Sequence, residues 1–355
     1  MIRPFPAGIK TRPFGPLTTG HETTLYSLTN RNGTCAQICD YGATLVSFHC
    51  KDKQGQLGDI VLGFDSVQGY QHSNIYMGAM IGRFANRIGG GKFSLDGNDF
   101  TLATNLDEHH IHGGEQGFDK RLWHVNTLSQ SPASLRFTLF SPDGDQGYPG
   151  NLTIHVIYKL DDDDQLSITC EATCDQATLI SITNHSYFNL AGKGKVLDHL
   201  LHVNADKFTP LGEDRLPTGD IDDVKNTPFD FRTPTKIGER IFDDNDQLRI
   251  GHGYDHCYVN KRNKNKAAPL VASLLDENSG RRLDVYSDAP AVQLCVAWFF
   301  DGTGGGKSII HEEHGALCIE PQNFPDAPNR EEFPSAALRP GEKFKQTIIF
   351  SPGTN

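Results

Sequence analysis

Long apolar runs are missing from this sequence. The longest, Ala291–Phe300, is interrupted by Gln293, whereas a helix that spans a bilayer needs about 20 apolar residues in a row. A membrane-spanning helix is therefore not expected. The opening stretch MIRPFPAGIKTRPFG also lacks the apolar segment of a secretory signal. Excess positive charge is missing too: 33 Lys and Arg stand against 44 Asp and Glu, a formal net charge of −11. Binding a nucleic-acid backbone depends on clustered cations, so nucleic-acid partners are not expected. None of the eight cysteines (35, 39, 50, 170, 174, 257, 295 and 318) has CxxC spacing. Several sit inside apolar runs, as in Gln293-Leu-Cys295-Val, which reads as reduced, core-filling Cys in a cytoplasmic protein.

Helical periodicity is nearly absent as well. In its place come about fifteen short runs rich in Thr, Val, Ile and Phe, bounded by turn residues. They include 35–49, 152–160, 166–172, 291–300 and 344–350. Asp96-Gly97 between two runs is a hairpin signal. Asp161–Asp164 reads as a solvated hairpin turn rather than a cation site. The 36 Gly and 19 Pro supply turns, not disorder, because apolar runs keep recurring between them. Many strands without alternating helices predict an all-β sandwich or barrel-like fold. No linker, repeat or low-complexity tract divides the chain, so residues 1–355 are read as one domain, with 258–268 as a candidate exposed loop.

Three motifs resemble ligand sites and fail their patterns. Asp301-GTGGGKS has Asp where a phosphate loop needs its first Gly, and it reads as a surface loop. His311-EE-His314 is one residue too short for a zincin pair. His110 and His112 share a face if extended, but no third ligand accompanies them, so no metal is expected.

Four segments carry more chemistry than a core requires. Gly82-RFANRI-88 offers Asn86 and the donor fork of Arg87. Ile111-His112-Gly-Gly, followed by GFDK, pairs an imidazole with glycines that let a ligand approach the backbone. Asn184-HSYFNL places His185 at a strand end, suited to proton transfer near neutral pH. Leu317-CIEPQNFPDAPN runs an apolar strand into Glu320, whose desolvation raises basicity. Gly253-Tyr-Asp255 and Gln293, a polar residue in an apolar strand, complete the set.

GRFANRI, IHGG with GFDK, DGDQGYPGN at 143–151, NHSYFNL, GYDHCYV and EPQNFPDAPN occur in this order. Together they closely resemble the aldose 1-epimerase (galactose mutarotase) family. The resemblance implies a large antiparallel β-sandwich of the galactose mutarotase-like supersandwich type and interconversion of sugar anomers without a cofactor. It further implies Glu320 as general base and His185 as general acid. Asn86, Arg87, His112, Asp255 and Gln293 match sugar-binding positions, and Ser186 and Tyr187, flanking the acid, are expected to line the site. One departure is the Gly-rich loop 301–308, between Gln293 and Glu320, which leaves the pocket edge and fine sugar preference open. The expected partner is a small sugar, and the chain is expected to be a monomer or homodimer.

Rival readings are a glycosidase, which needs two carboxylates, a non-catalytic sugar-binding module, and a hexose-6-phosphate 1-epimerase. A phosphate ester calls for an Arg/Lys cluster or a helix N-terminus. The motifs offer Arg87 as the single well-placed cation, so a neutral free aldose is expected.

Overall fold

The computed structural model describes residues 7–261 and 267–355. Three antiparallel sheets make up most of it. The largest has nine strands in the order His124–Gln130, Ala133–Ser141, Leu152–Leu160, Leu166–Cys174, Phe344–Thr354, Arg281–Ser287, Leu270–Leu275, Leu200–Val203 and Thr235–Lys236. The strand Leu152–Leu160 alternates buried with half-buried or exposed residues along its length. That is the pattern of a sheet with one face on the core. A five-stranded sheet at the N-terminal end runs in chain order from Gly8–Pro16 to Leu57–Asp59.

The third sheet has six strands, in the order Tyr187–Phe188, Leu317–Gln322, Ala291–Val296, Asp255–Val259, Lys207–Thr209 and Asp222–Asp223. One apolar cluster joins all three sheets: Leu28 and Phe48 from the five-stranded, Ile154, Val156 and Ile348 from the nine-stranded, Leu294 and Ile319 from the six-stranded. The arrangement is the expected antiparallel β-sandwich. Helix is limited to Val67–His72, Asp246–Gly251 and short single turns. The Asp96-Gly97 hairpin forms between Lys92–Leu95 and Asn98–Thr101. Of the stretch 258–268, Tyr258 and Val259 end a strand, and 262–266 lie outside the described residues.

The register of the six-stranded sheet positions the site. Gln293 pairs with Glu320, Cys295 with Cys318, Asp255 with Cys295, and Tyr187 with Cys318. Residues opposite one another share a face, and so do residues two apart. Tyr187, Cys318, Glu320, Gln293, Cys295 and Asp255 therefore share one face. Their neighbours Leu317, Ile319, Val292, Leu294 and Val296 point the other way, into the common core. An ordinary strand alternation thus lifts Glu320, Gln293 and Asp255, from three buried strands, onto the same side.

Candidate active site

That face forms the floor of a cavity of about 360 Å³ whose lining includes Asn86, Arg87, His112, His185, Tyr187, Asp255, Gln293 and Glu320. Its size falls in the range of small-molecule sites. Segments far apart in sequence converge on it. The strand Arg87–Ile88 pairs with His110–Ile111, bringing the ANR and IHGG motifs side by side. Asn86 and His112 both adopt left-handed backbone, with φ of 68° and 52°. Gly113, next to His112, has no alternative: a Cβ there would lie 1.8 Å from the Gly82 carbonyl oxygen.

His185 Nε2 lies 3.6 Å from Glu320 Oε2, and both residues are buried. Glu320 Oε2 and Gln293 Oε1 are buried with no hydrogen-bond partner among the described residues. A buried acceptor without a partner is costly, and these belong to cavity-lining residues whose acceptors a ligand's hydroxyl groups can satisfy. Burial, followed by the negative charge of Asp255, pushes the Glu320 carboxyl well above the usual range. Burial also lowers the His185 imidazole to about 4. Both shifts favour the uncharged forms, a carboxylic acid beside a neutral imidazole rather than an ion pair, because neither charge is adequately solvated there.

His112 differs from His185 in one respect that decides its chemistry. The Asn86 backbone N–H donates to His112 Nδ1 at 3.2 Å. A backbone N–H can only donate, so Nδ1 is bare and Nε2 carries the proton. Burial, then the neighbouring His185 and Arg87, hold this ring well below the usual pKa of imidazole. His112 is thus fixed as a neutral hydrogen-bond donor.

Asp255 is the opposite case. Burial alone would raise its pKa, but Arg87, Arg215 and the Gln293 amide outweigh it and keep the carboxylate ionised. Gln293 Nε2 donates to Oδ1 at 2.7 Å, and Arg215 Nη2 donates to Oδ2 at 2.7 Å. The single-cation expectation is therefore corrected. Arg215 lines the cavity beside Arg87 and lies over the Trp298 ring at 5.1 Å. It went unread because no motif marks it and a turn delivers it from outside the flagged segments.

Ser186 also departs from expectation. Strand alternation turns it away from the cavity, and its hydroxyl donates to Asn184 Oδ1 at 2.6 Å. Tyr187 does line the cavity, stacked on His185 at 5.1 Å with its hydroxyl on the Ile75 carbonyl. Tyr76, which carried no sequence signal, closes the other side, 4.6 Å from the His112 ring and 6.0 Å from that of His185. Arg83, three residues before Asn86, is a structural group: it is buried and donates to Ser141, Pro149 and Thr178. His110 binds the Tyr148 hydroxyl and the Ala103 carbonyl, so the alternate histidines do not form a shared ligand face. A group of three potential metal donors among the described residues is instead His185, Cys318 and Glu320, with one atom from each within 4.8 Å of the others.

The Gly-rich loop 301–308 supplies none of the described residues that line the cavity, but it is anchored to the protein by an unexpected route. Lys307 extends from it into the protein and donates to Asp59 Oδ2 at 2.8 Å, to the Val61 carbonyl at 3.2 Å and to the Val46 carbonyl. Gly306 is pressed so close that a Cβ would lie 2.2 Å from the Gly63 carbonyl oxygen. Trp298 and Phe299, just before this loop, line the cavity. Phe300 stacks on Tyr187 at 5.4 Å, which in turn stacks on His185.

Comparison with known proteins places the chain in a family and agrees with the fold. A family model described as aldose 1-epimerase matches residues 24–351. Human galactose mutarotase is 39% identical over 347 residues, covering 97% of this chain and 98% of its own. The aldose 1-epimerase of Escherichia coli K12 is 36% identical, covering 92% of this chain and 94% of its own. Among solved structures, galactose 1-epimerase from Lactobacillus acidophilus superimposes with a TM-score of 0.87 at 29% identity, over 99% of this chain and 100% of its own. An aldose epimerase homologue from C. elegans gives 0.86 at 32% identity, over 94% of this chain and 99% of its own.

Proposed function

The chain belongs to the aldose 1-epimerase family, and from that premise we propose that it is an isomerase of free aldohexoses such as glucose and galactose, with Glu320 as base and His185 as acid. The observation that carries the reading is the buried His185–Glu320 pair, 3.6 Å apart in a sugar-sized cavity. Glu320 takes the proton of the C1 hydroxyl while His185 gives one to the ring oxygen. The C1–O5 bond breaks and the C1 carbonyl forms. Rotation about C1–C2 presents the other carbonyl face, and reclosure returns both protons. Each positioned transfer contributes about 10²–10⁴-fold.

The pair works with one shared proton. The two pKa shifts favour that proton on Glu320. The productive form has it on His185, and the C1 hydroxyl, by donating to the orphan Oε2, stabilises the carboxylate that this requires. His112 donates from Nε2, and Asp255, Gln293 and Arg87 hold the remaining hydroxyls. No step passes through a metal or other cofactor.

A neutral substrate is favoured, although the sequence argument for it changes. Arg215 is committed to Asp255, and no Lys among the described residues lines the cavity, so a phosphate would lack its cation cluster there. Eight unpaired cysteines, seven of them buried, support a reducing, cytoplasmic setting. The test is polarimetry with freshly dissolved α-D-glucose, α-D-galactose and glucose 6-phosphate. Rapid equilibration of the free sugars is expected. No acceleration, or a clear preference for the phosphate, overturns the reading.

A further inference from the structure

Cys318 stands two residues before Glu320 on the cavity side of its strand, opposite Tyr187 on one neighbour and Cys295 on the other. The sequence gives it no motif role, and its side chain lies just beneath the cavity floor. Its sulfur is 3.7 Å from His185 Nδ1. The far end of the same ring, Nε2, faces Glu320. The ring faces are taken by Tyr187 and Tyr76, and its edge meets His112 at a 76° interplanar angle. The ring is therefore gripped on its faces by aromatics and at its rear nitrogen by sulfur.

We propose that Cys318 is a positioning residue for His185, its sulfur accepting from Nδ1–H so that the proton exchanged with the sugar is always the one on Nε2. This rests on the reading of His185 as the acid. The bookkeeping is direct. The imidazolium carries both N–H groups, with Nδ1–H toward sulfur and Nε2–H toward the ring oxygen. After transfer the ring keeps Nδ1–H, and the bare Nε2 is aimed to take the proton back on reclosure. Had the proton remained on Nε2 and left Nδ1, the reverse step would need a tautomer exchange through solvent that the buried site excludes.

Sulfur suits this role because it is a weak acceptor. A carboxylate behind the ring would stabilise the imidazolium and make it a poor acid. The thiol orients the ring without that penalty, and burial together with the nearby Glu320 and Cys295 keeps it protonated. The other titratable or charged groups facing His185 are His112, Tyr76, Tyr187 and, farther off, Asp255. A hydrogen bond to the residue's own backbone also raises the pKa of this ring. The sulfur is the partner that substitution can remove.

The test compares Cys318→Ala and Cys318→Ser by mutarotation kinetics over pH and by ¹⁵N-histidine NMR of the unliganded protein. Cys318→Ala is expected to lower kcat about 10-fold, as removal of a ligand-orienting partner does, with KM little changed. Its His185 signals should move from the Nδ1–H tautomer toward a mixture. Cys318→Ser keeps an acceptor and should recover most of the rate, with the acid limb of the profile shifted upward because oxygen accepts more strongly than sulfur. Equal rates in wild type and Cys318→Ala, or an unchanged tautomer signal, overturn the proposal. The NMR readout does not depend on His185 being the acid. A His185→Asn variant with full activity would sink that assignment while leaving the Cys318 contact separately measured.

Discussion

Removing the charge of Lys307 probes how the Gly-rich loop is anchored to the protein. Lys307→Met keeps most of the stem but leaves Asp59 without its cation. Asp59 retains hydrogen bonds from the Phe48 and Val61 backbone N–H groups at 2.9 and 3.3 Å. Breaking one side of a buried pair costs about 3–5 kcal/mol. The side chains of Lys307 and Asp59 are 15% and 18% exposed, so the lower end, about 3 kcal/mol, applies. An unfolding entropy of about 2.1 cal/mol/K per residue gives about 0.75 kcal/mol/K for a chain of 355 residues, and hence a drop of about 4 °C in Tm. The pH dependence carries a definite sign. Burial would raise the Asp59 carboxyl, but Lys307 and His49 outweigh it and hold it below the ordinary range. The pair therefore stabilises the fold above the unfolded carboxyl pKa of about 3.9, and that contribution is lost as pH falls through the lower folded value. In Lys307→Met, burial is opposed only by His49 and the remaining backbone hydrogen bonds, the carboxyl titrates higher, and protonation relieves it. The gap in Tm between variant and wild type should narrow from pH 7 toward pH 4 in calorimetry. The double variant Asp59→Asn/Lys307→Met should recover much of the loss. KM should rise more than kcat falls, since Trp298 and Phe299 line the cavity. A Tm within about 1 °C of wild type at pH 7, or a gap that widens in acid, refutes the reasoning.

Four further outcomes are expected. Glu320→Gln should lower kcat by at least about 10²-fold with sugar affinity largely kept; a near wild-type rate removes Glu320 as the base. His185→Asn should reduce kcat more than affinity, whereas His112→Asn should damage both, and a far larger kcat loss at His112 would reverse the two assignments. The profile of kcat/KM against pH should be bell-shaped, since the active pair holds one proton: the acid limb reports a second proton on His185, near 4, and the alkaline limb loss of the proton from Glu320. A profile still climbing between pH 6 and 7, as an ordinary histidine would give, contradicts this placement. Exhaustive chelation should leave activity intact; loss restored by one divalent metal would point to His185, Cys318 and Glu320 as its ligands.

The sheet architecture was legible because most of its strands carry one buried face and therefore alternate. The strand Asp255–Val259 escaped notice for the converse reason. It is buried on both faces, so Asp255 and His256 interrupt any two-residue pattern. The motif residues Asn86, Arg87, His112, His185, Asp255, Gln293 and Glu320 meet at one cavity. What sequence could not separate was which polar residue serves the site and which serves the fold. Arg83 and Arg87 look alike in GRFANRI, yet only packing sends one to Ser141 and Pro149 and the other to the cavity. Arg215 and Tyr76 reach the cavity from turns and loops, where no periodicity announces them, and Trp298 lies in the apolar run 291–300 but beyond the end of its strand at Val296. Lys307 was read as part of a surface loop because its neighbours are exposed. A long side chain can turn inward from such a loop, and only the position of Asp59 reveals that it does.

The register of the six-stranded sheet has a practical consequence for altering sugar preference. Along Leu317–Gln322 and Ala291–Val296, stability and recognition are written on alternate letters of the chain. A library that varies only Gln293 and Cys295, with Glu320 kept, rewrites the cavity floor while Leu294, Val296, Leu317 and Ile319 continue to seal the opposite face. That one strand can then be retuned against a fixed neighbour, because each varied position already sits beside its partner, Glu320 or Cys318, across the ladder. A shift of either strand by one residue would exchange the two alphabets at once, placing leucine and isoleucine in the sugar site and Glu320 in the hydrocarbon interior. Selection for activity in such a library therefore also selects for correct strand pairing, with no separate screen for folding.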